Sequence, residues 1–80
     1  MERSEIFKRL EEIFVDVFEL DGIELTDATS AEDIEEWDSL SHIQLIVAVE
    51  KAFGIKFTSR EIMKWNNVGE MVDTIQQRAE

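Results

Sequence analysis

Apolar and polar residues recur along the chain at three- and four-residue steps, the spacing that places apolar side chains on one face of an α-helix. The first such stretch covers residues 4–19, and Ser4 is its expected N-cap. In the second, Asp38 is a good N-cap type for a helix that begins at Ser39. Gly54 closes this second stretch, where a left-handed residue commonly ends a helix.

Two further capping signals predict the remaining helices. Thr58, with Glu61 three residues later, forms a capping box that predicts a short helix to about Lys64. Asn67 and Glu70 repeat this spacing and predict a last helix that runs to the end of the chain. The chain is therefore expected to form three long helices, with a short one between the second and the last.

A long connection, residues 20–38, separates the first two helices. Its turn signal is the aspartate–glycine pair that ends at Gly22. Ser30 is expected to cap one short helical turn ending near Trp37, which relieves an otherwise structureless loop. Trp37 itself is expected in the core or at its edge, or as a wall for a group attached at the next helix. The pattern as a whole predicts an all-α four-helix bundle with a short third helix and a long first loop.

Composition narrows the possible functions. The chain has 80 residues, 19 acidic against 8 basic, and a net charge of −11, so nucleic acid and anionic membranes would repel it and basic protein surfaces are its natural partners. It has no cysteine, hence no disulfide and no thiolate of its own. No apolar run approaches the ~20 residues that a membrane span needs, and no signal peptide is evident. We expect a single domain over residues 1–80: a cytoplasmic monomer that does not insert into membranes.

Ser39 is the candidate for chemistry, and three interpretations compete. Asp38, Ser39 and His42 suggest a hydrolytic triad, but residues within one helical turn project outward together and leave no separate oxyanion site. Ser39 could instead be only a helix-start residue. In the third interpretation it carries a phosphate-linked group, since the free N–H groups and the dipole of a helix N-terminus favour an anion. His42 is expected to be solvated and to face a partner.

The second helix has more apolar surface than a small bundle needs from one helix. One set of its apolar residues is separated by three and four positions, and we call it the outer stripe: Leu40, Ile43 and Val47. A second set follows the same helix: Leu45, Ile46, Val49 and Phe53. One of the two sets is expected to face a binding partner, because an unpaired apolar stripe usually marks an interaction surface.

From Asp38 through Ile75 the chain resembles the acyl carrier protein family. The resemblance rests on Asp38-Ser39-Leu40 at the head of the second helix, and on the later residues Glu50, Phe53, Ile55, Phe57 and Val68. It implies that Ser39 receives a 4′-phosphopantetheine arm from coenzyme A, added by a separate phosphopantetheinyl transferase. The thiol of the arm would carry an acyl group as a thioester, and the carrier itself would catalyse nothing and hold no metal.

The resemblance also implies roles for the residues around Ser39. Asp38 would support attachment by helping the transferase to hold magnesium, and partner enzymes would bind the outer stripe. Acyl-loading and acyl-processing enzymes would bring basic patches to a set of acidic residues, namely Glu35, Glu36, Asp38 and Glu50. The positions where fatty-acid carriers often have acids are here Ser41, His42 and Gln44. This departure points to a specialised lipid, polyketide or polysaccharide pathway.

Two alternatives remain open from the sequence. An aminoacyl or peptidyl carrier, such as an alanyl-type one, would share the modification. The usual peptidyl pattern has glycines just before the serine, where this chain has Glu36 and Trp37. The alternative from another class is an unmodified, acidic helical subunit that docks onto a basic partner.

Overall fold

The computed structural model describes residues 2–78. It contains four helices, which are α1 (Arg3–Phe18), α2 (Ser39–Phe53), α3 (Ser59–Lys64) and α4 (Val68–Arg78). Residues 2–78 contain no strand, so the predicted all-α fold with a short third helix is confirmed. The end of the predicted last helix, after α4, lies outside the described residues. Across the described part of the chain, every helix is too short or too polar to span a bilayer.

The start of α1 lies one residue before the predicted one, and Ser4 is not its cap. Glu2, the first described residue, has the extended backbone of an N-cap. Its carboxylate, however, accepts no hydrogen bond from the backbone amides of the described first turn. The Arg3 guanidinium instead forms ion pairs with Asp27 in the loop and Asp73 on α4. These ion pairs connect the first turn of α1 to two other parts of the fold.

The end of α1 also differs from the prediction. Glu19 adopts a left-handed conformation, with φ 54° and ψ 50°, and terminates the helix at Phe18. A non-glycine residue in this region is uncommon. The glycine that served as the turn signal, Gly22, has no positive φ. The chain therefore turns earlier than its aspartate–glycine pair suggested.

The loop between α1 and α2 contains single turns where the sequence predicted a short helical turn reaching Trp37. Ser30 and Asp33 bond reciprocally: the Asp33 N–H donates to the Ser30 carbonyl, and the Ser30 N–H donates to Asp33 Oδ2, both at 3.0 Å. The chain then leaves the helical path. A further turn follows, in which the Trp37 N–H donates to the Ile34 carbonyl at 3.1 Å, and both side chains are buried in the core.

The other predicted caps are present. Gly54 ends α2 with φ 66°, the left-handed conformation that glycine adopts without strain. Thr58 and Glu61 form the predicted capping box of α3. At α4, Asn67 Oδ1 accepts the Glu70 N–H at 3.0 Å, so this cap is also as predicted. Local sequence therefore determines where α2, α3 and α4 begin.

The core lies between α1, α2, α4 and the first loop. Its fully enclosed side chains are Ile6, Leu10, Phe14, Leu45, Val49, Val68, Met71, Val72 and Ile75. Trp37 joins them, packing edge-on against Phe14 with ring centroids 5.2 Å apart, as its predicted core position requires. Burying a large apolar side chain stabilises a fold by roughly 1.5–3 kcal/mol, so Trp37 anchors the loop strongly just before α2. By contrast, α3 buries none of its side chains.

The first loop is also attached to the start of α4. The Val68 N–H donates to the Thr29 carbonyl at 2.7 Å, and the Gly69 N–H donates to the Asp27 carbonyl at 3.1 Å. These bonds satisfy amides that a helix N-terminus otherwise leaves unpaired. They bring the connection between α3 and α4 close to the loop that carries Trp37, and so position the walls of the site described below.

Candidate functional site

Asp38 organises the start of α2. Its Oδ1 atom accepts the Leu40 N–H at 3.0 Å and the Ser41 N–H at 2.8 Å. The Ser41 hydroxyl in turn accepts the Asp38 N–H at 2.9 Å and donates to the Glu36 carbonyl at 2.8 Å. The hydrogen bonds that the Ser41 N–H and the Leu40 N–H donate to the carboxylate lower the pKa of Asp38. The carboxylate is therefore ionised at neutral pH. Ser41 also completes a capping box with Asp38, which was not predicted although the two residues have the three-residue spacing of this motif.

Ser39 is the first residue of α2 and is exposed. Asp38 accepts hydrogen bonds from the three backbone amides that follow Ser39. Its side chain accepts the N–H groups of Leu40 and Ser41, and its carbonyl accepts the His42 N–H at 2.9 Å. The free N–H groups that the sequence analysis expected to favour an anion are therefore largely engaged by Asp38. What remains at Ser39 is an accessible hydroxyl at the positive end of a helix dipole.

A cavity of about 250 Å³ opens beside Ser39. The first loop, the start of α2 and the α3–α4 connection all contribute to its lining, which comprises Ala31, Trp37, Asp38, Ser39, His42, Trp65, Asn66, Asn67 and Met71. The residues after α3 that lie beside Ser39 were not predicted from the sequence. Their proximity depends on the path of the first loop, which has no local signature.

His42 pairs with Trp37 across the start of α2. The Trp37 indole Nε1–H donates to His42 Nδ1 at 2.9 Å, and the two rings stack with centroids 5.9 Å apart. Burial lowers the pKa of His42. Because the indole can only donate, Nδ1 must be the unprotonated nitrogen, and the neutral imidazole carries its proton on Nε2.

This pairing settles two sequence-based interpretations. His42 is half-buried against Trp37, so the prediction of a solvated residue was wrong. Within residues 2–78, no hydrogen bond joins the Ser39 hydroxyl to the His42 imidazole or to the Asp38 carboxylate. The structure therefore gives no support to a hydrolytic triad, in agreement with its rejection from sequence.

The two apolar sets of α2 separate as expected. The side chains of the outer stripe are exposed, at 74% for Leu40, 62% for Ile43 and 45% for Val47. The members of the second set lie inside: Leu45, Ile46 and Val49 are buried and Phe53 packs against the core. The fold therefore leaves the outer stripe without a partner in the described chain.

The acidic residues predicted to meet partners differ in their surroundings. Glu35 and Glu36 are exposed just before α2. Glu50 is half-buried, and its Oε2 atom accepts the Phe57 N–H at 2.8 Å. This bond ties α2 to the connection that follows it, so Glu50 has a structural contact that the sequence analysis did not anticipate.

Comparison with known proteins identifies the family. A family model described as "Phosphopantetheine attachment site" matches residues 8–75. The acyl carrier protein of Rubrobacter xylanophilus is 36% identical over 75 residues, which cover 94% of this chain and 93% of that protein. The chain belongs to the acyl carrier protein family. The acyl carrier protein of Petrotoga mobilis is 32% identical over 79 residues, covering 98% of this chain and 92% of that protein.

A solved structure agrees with this assignment. The solution NMR structure of the holo acyl carrier protein from Geobacter metallireducens superimposes with a TM-score of 0.85 and 46% sequence identity, covering 90% of this chain and 83% of that one. The chain is thus a non-catalytic carrier, and its cofactor is a covalently attached 4′-phosphopantetheine. The residues present fit this group: an exposed serine hydroxyl opens a helix beside a cavity, and no cysteine competes with the thiol of the arm.

Proposed function

We propose that Ser39 is the residue to which the 4′-phosphopantetheine arm is attached. The observation that carries the proposal is the exposed hydroxyl at the first position of α2, beside an open cavity and inside the matched segment. Ser39 Oγ forms a bond to the β-phosphorus of coenzyme A, the pyrophosphate P–O bond breaks, 3′,5′-ADP leaves, and the hydroxyl proton passes to a base of the transferase. When bound, the arm supplies a thiol that holds an acyl group as a thioester.

Asp38 supports this attachment in two ways. Its Oδ1 atom fixes the first turn of α2 and so holds Ser39 in place. The lowered pKa keeps the carboxylate ionised. Within the described residues its other oxygen, Oδ2, accepts no hydrogen bond, which leaves it available to the magnesium ion of a transferase.

The outer stripe is the proposed docking surface for partner enzymes, namely the phosphopantetheinyl transferase and acyl-loading and acyl-processing enzymes. Ile43 lies at its centre and is mostly exposed. Glu35 and Glu36 would meet basic patches of those partners. Glu50 would contribute less to partner binding than its charge suggests, because one of its carboxylate oxygens accepts a hydrogen bond from the Phe57 amide.

The proposed pathway is a specialised one that builds a lipid, polyketide or polysaccharide. Its support is the first two turns of α2, where Ser41 completes the cap, His42 pairs with Trp37 and Gln44 is neutral, so these positions lack acidic charge. An alanyl-type carrier is the second candidate, but the named relatives favour an acyl cargo. We place the carrier in the cytoplasm and treat the chain as one domain and a monomer. The unmodified interaction subunit is not proposed further, because the family carries the cofactor.

The test is the intact mass of the protein before and after incubation with coenzyme A, magnesium and a promiscuous phosphopantetheinyl transferase. We expect one arm on the wild type and none on Ser39→Ala. Ser59→Ala is the matched control, because Ser59 is also an exposed first residue of a helix, and it should load normally. Loading of Ser39→Ala, or failure of several transferases to load folded wild type, would contradict the proposal.

A further inference from the structure

Hydrogen bonds and ring contacts hold the aromatic side chains that line the cavity beside Ser39. On one side the Trp37 ring is held by the hydrogen bond to His42 and by its edge contact with Phe14. On the other side the Trp65 indole donates to Thr74 Oγ1 at 2.9 Å, and Phe57 packs edge-on against the Trp65 ring, with centroids 4.9 Å apart. A site whose side chains are already fixed loses little entropy when it is filled.

The cavity also offers a hydrogen-bond donor. Since His42 Nδ1 is occupied by the Trp37 indole, the proton of the neutral imidazole is on Nε2. The amides of Leu40 and Ser41 are bound to Asp38, so they are not free to receive an oxygen atom at this position. His42 lines the cavity, so its Nε2–H is a donor available to oxygen atoms that enter beside Ser39, together with the side-chain amides of Asn66 and Asn67.

The position of Ser39 indicates which part of a serine-linked arm would enter the cavity. Ser39 itself lines this cavity of about 250 Å³, so the part of the arm that is bonded to its hydroxyl lies at the cavity. The segment nearest the serine, between the phosphodiester and the first amide, carries a branched dimethyl carbon and a hydroxyl, and it is the first part of the arm to reach the aromatic walls.

We propose that Trp37, His42 and Trp65 form a seat for this first segment of the arm, in which His42 Nε2–H donates to one of its oxygen atoms and the two indole rings contact its methyl groups. This inference rests on the proposed attachment at Ser39. His42 is a positioning residue: it holds the base of the arm against the protein and thereby limits the directions in which the thiol end can reach. The acyl group, on the thiol at the far end of the arm, lies outside this seat.

The experiment uses the full chain, uniformly labelled with ¹³C and ¹⁵N, with an unlabelled arm added enzymatically. Isotope-filtered nuclear Overhauser spectra then report contacts between arm protons and protein protons. Assignment is direct because the chain has one histidine and two tryptophans. We expect contacts from the geminal methyl groups of the arm to Trp37 and Trp65 in the holo form, before any acyl group is added, and a shifted His42 Nε2–H resonance.

Variants separate the hydrogen bond from the packing. His42→Phe keeps a ring stacked on Trp37 but removes Nε2–H, so the arm-to-tryptophan contacts should weaken several-fold. Gln44→Ala is the matched control, an exposed α2 residue outside the cavity lining, and should leave them unchanged. Mass spectrometry verifies complete loading of every sample, and Trp65→Phe provides a second variant if His42→Phe is not folded.

Each outcome is decisive. Contacts in the holo form that depend on His42 support the seat. A loaded protein without these contacts overturns the seat and leaves attachment at Ser39 intact. Contacts that arise only from the acyl chain of a hexanoyl-loaded sample also overturn it, because the cavity would then hold cargo. Absence of any loading on Ser39 refutes the attachment and the seat together.

Discussion

Replacing Gly69 with alanine tests how the first loop is joined to α4. A β-carbon on Gly69 would lie 2.7 Å from Asp27 Oδ1, 2.9 Å from Asp27 Cβ and 2.9 Å from the Asp27 carbonyl oxygen. The carboxylate could rotate away, but the carbonyl and Cβ can move only with the loop backbone. That same carbonyl accepts the Gly69 N–H, and the Asp27 side chain is paired with Arg3.

We expect Gly69→Ala to destabilise the fold, whereas a glycine-to-alanine substitution in a helix usually stabilises it. Glycine to alanine in a helix interior stabilises by about 1 kcal/mol. Here overpacking costs about 1–3 kcal/mol, and weakening a backbone hydrogen bond between the loop and α4 costs about 1 kcal/mol more. The free energy of unfolding should therefore fall by about 2 kcal/mol. For a domain of this size that corresponds to a decrease in Tm on the order of 10 °C.

Thermal and urea unfolding followed by circular dichroism measure this effect. Gly22→Ala is the matched control, since a β-carbon at Gly22 would meet nothing within 4 Å and φ is not positive there. Its Tm should stay close to that of the wild type. If Gly69→Ala unfolds at or above the wild-type temperature, the close approach of α4 to Asp27 does not hold the loop as described.

Three further predictions concern α2 and the cavity wall. Ile43→Asp should weaken partner turnover in a coupled assay while barely changing Tm, because the side chain is 62% exposed; a large loss of stability would place it in the core. The pKa of Asp38 is lower in the folded state than in the unfolded chain. Its contribution to the free energy of unfolding is therefore fully present above the unfolded pKa of about 3.9, and it is lost as the pH falls through the lowered folded-state pKa. Asp38→Asn should therefore flatten the acid end of a Tm–pH profile, and an unchanged profile would contradict this. Trp65→Phe removes the bond to Thr74 and should lower the unfolding free energy in urea by about 1 kcal/mol; no change would show that the bond is unimportant.

Predictions from sequence succeeded where a local interaction determines structure. Asp38, Thr58 and Asn67 each cap the amides of the next turn, and these bonds span only three residues. Gly54 ends α2 through its own backbone conformation. The separation of the outer stripe from the buried set follows from helical periodicity alone. For these reasons the bounds of α2 and the candidate serine were predictable.

The failures are tertiary in origin. At the start of α1, where no serine cap forms, Arg3 pairs with residues on the loop and on α4 that are far away in sequence. His42 was predicted to be solvated and to face a partner, whereas the loop brings Trp37 onto its ring. None of these contacts has a signature within a short window of sequence.

The short helix α3 has a consequence for local unfolding. It buries no side chain, and it is joined to α4 by an ion pair between Glu61 and Arg78 at the surface. Opening it exposes little apolar area, so its opening free energy lies well below that of the global transition. Native-state hydrogen exchange should show α3 amides exchanging faster than those of α1, α2 and α4. Such a segment can detach and return many times during the lifetime of the folded core, while the rest of the carrier keeps its shape.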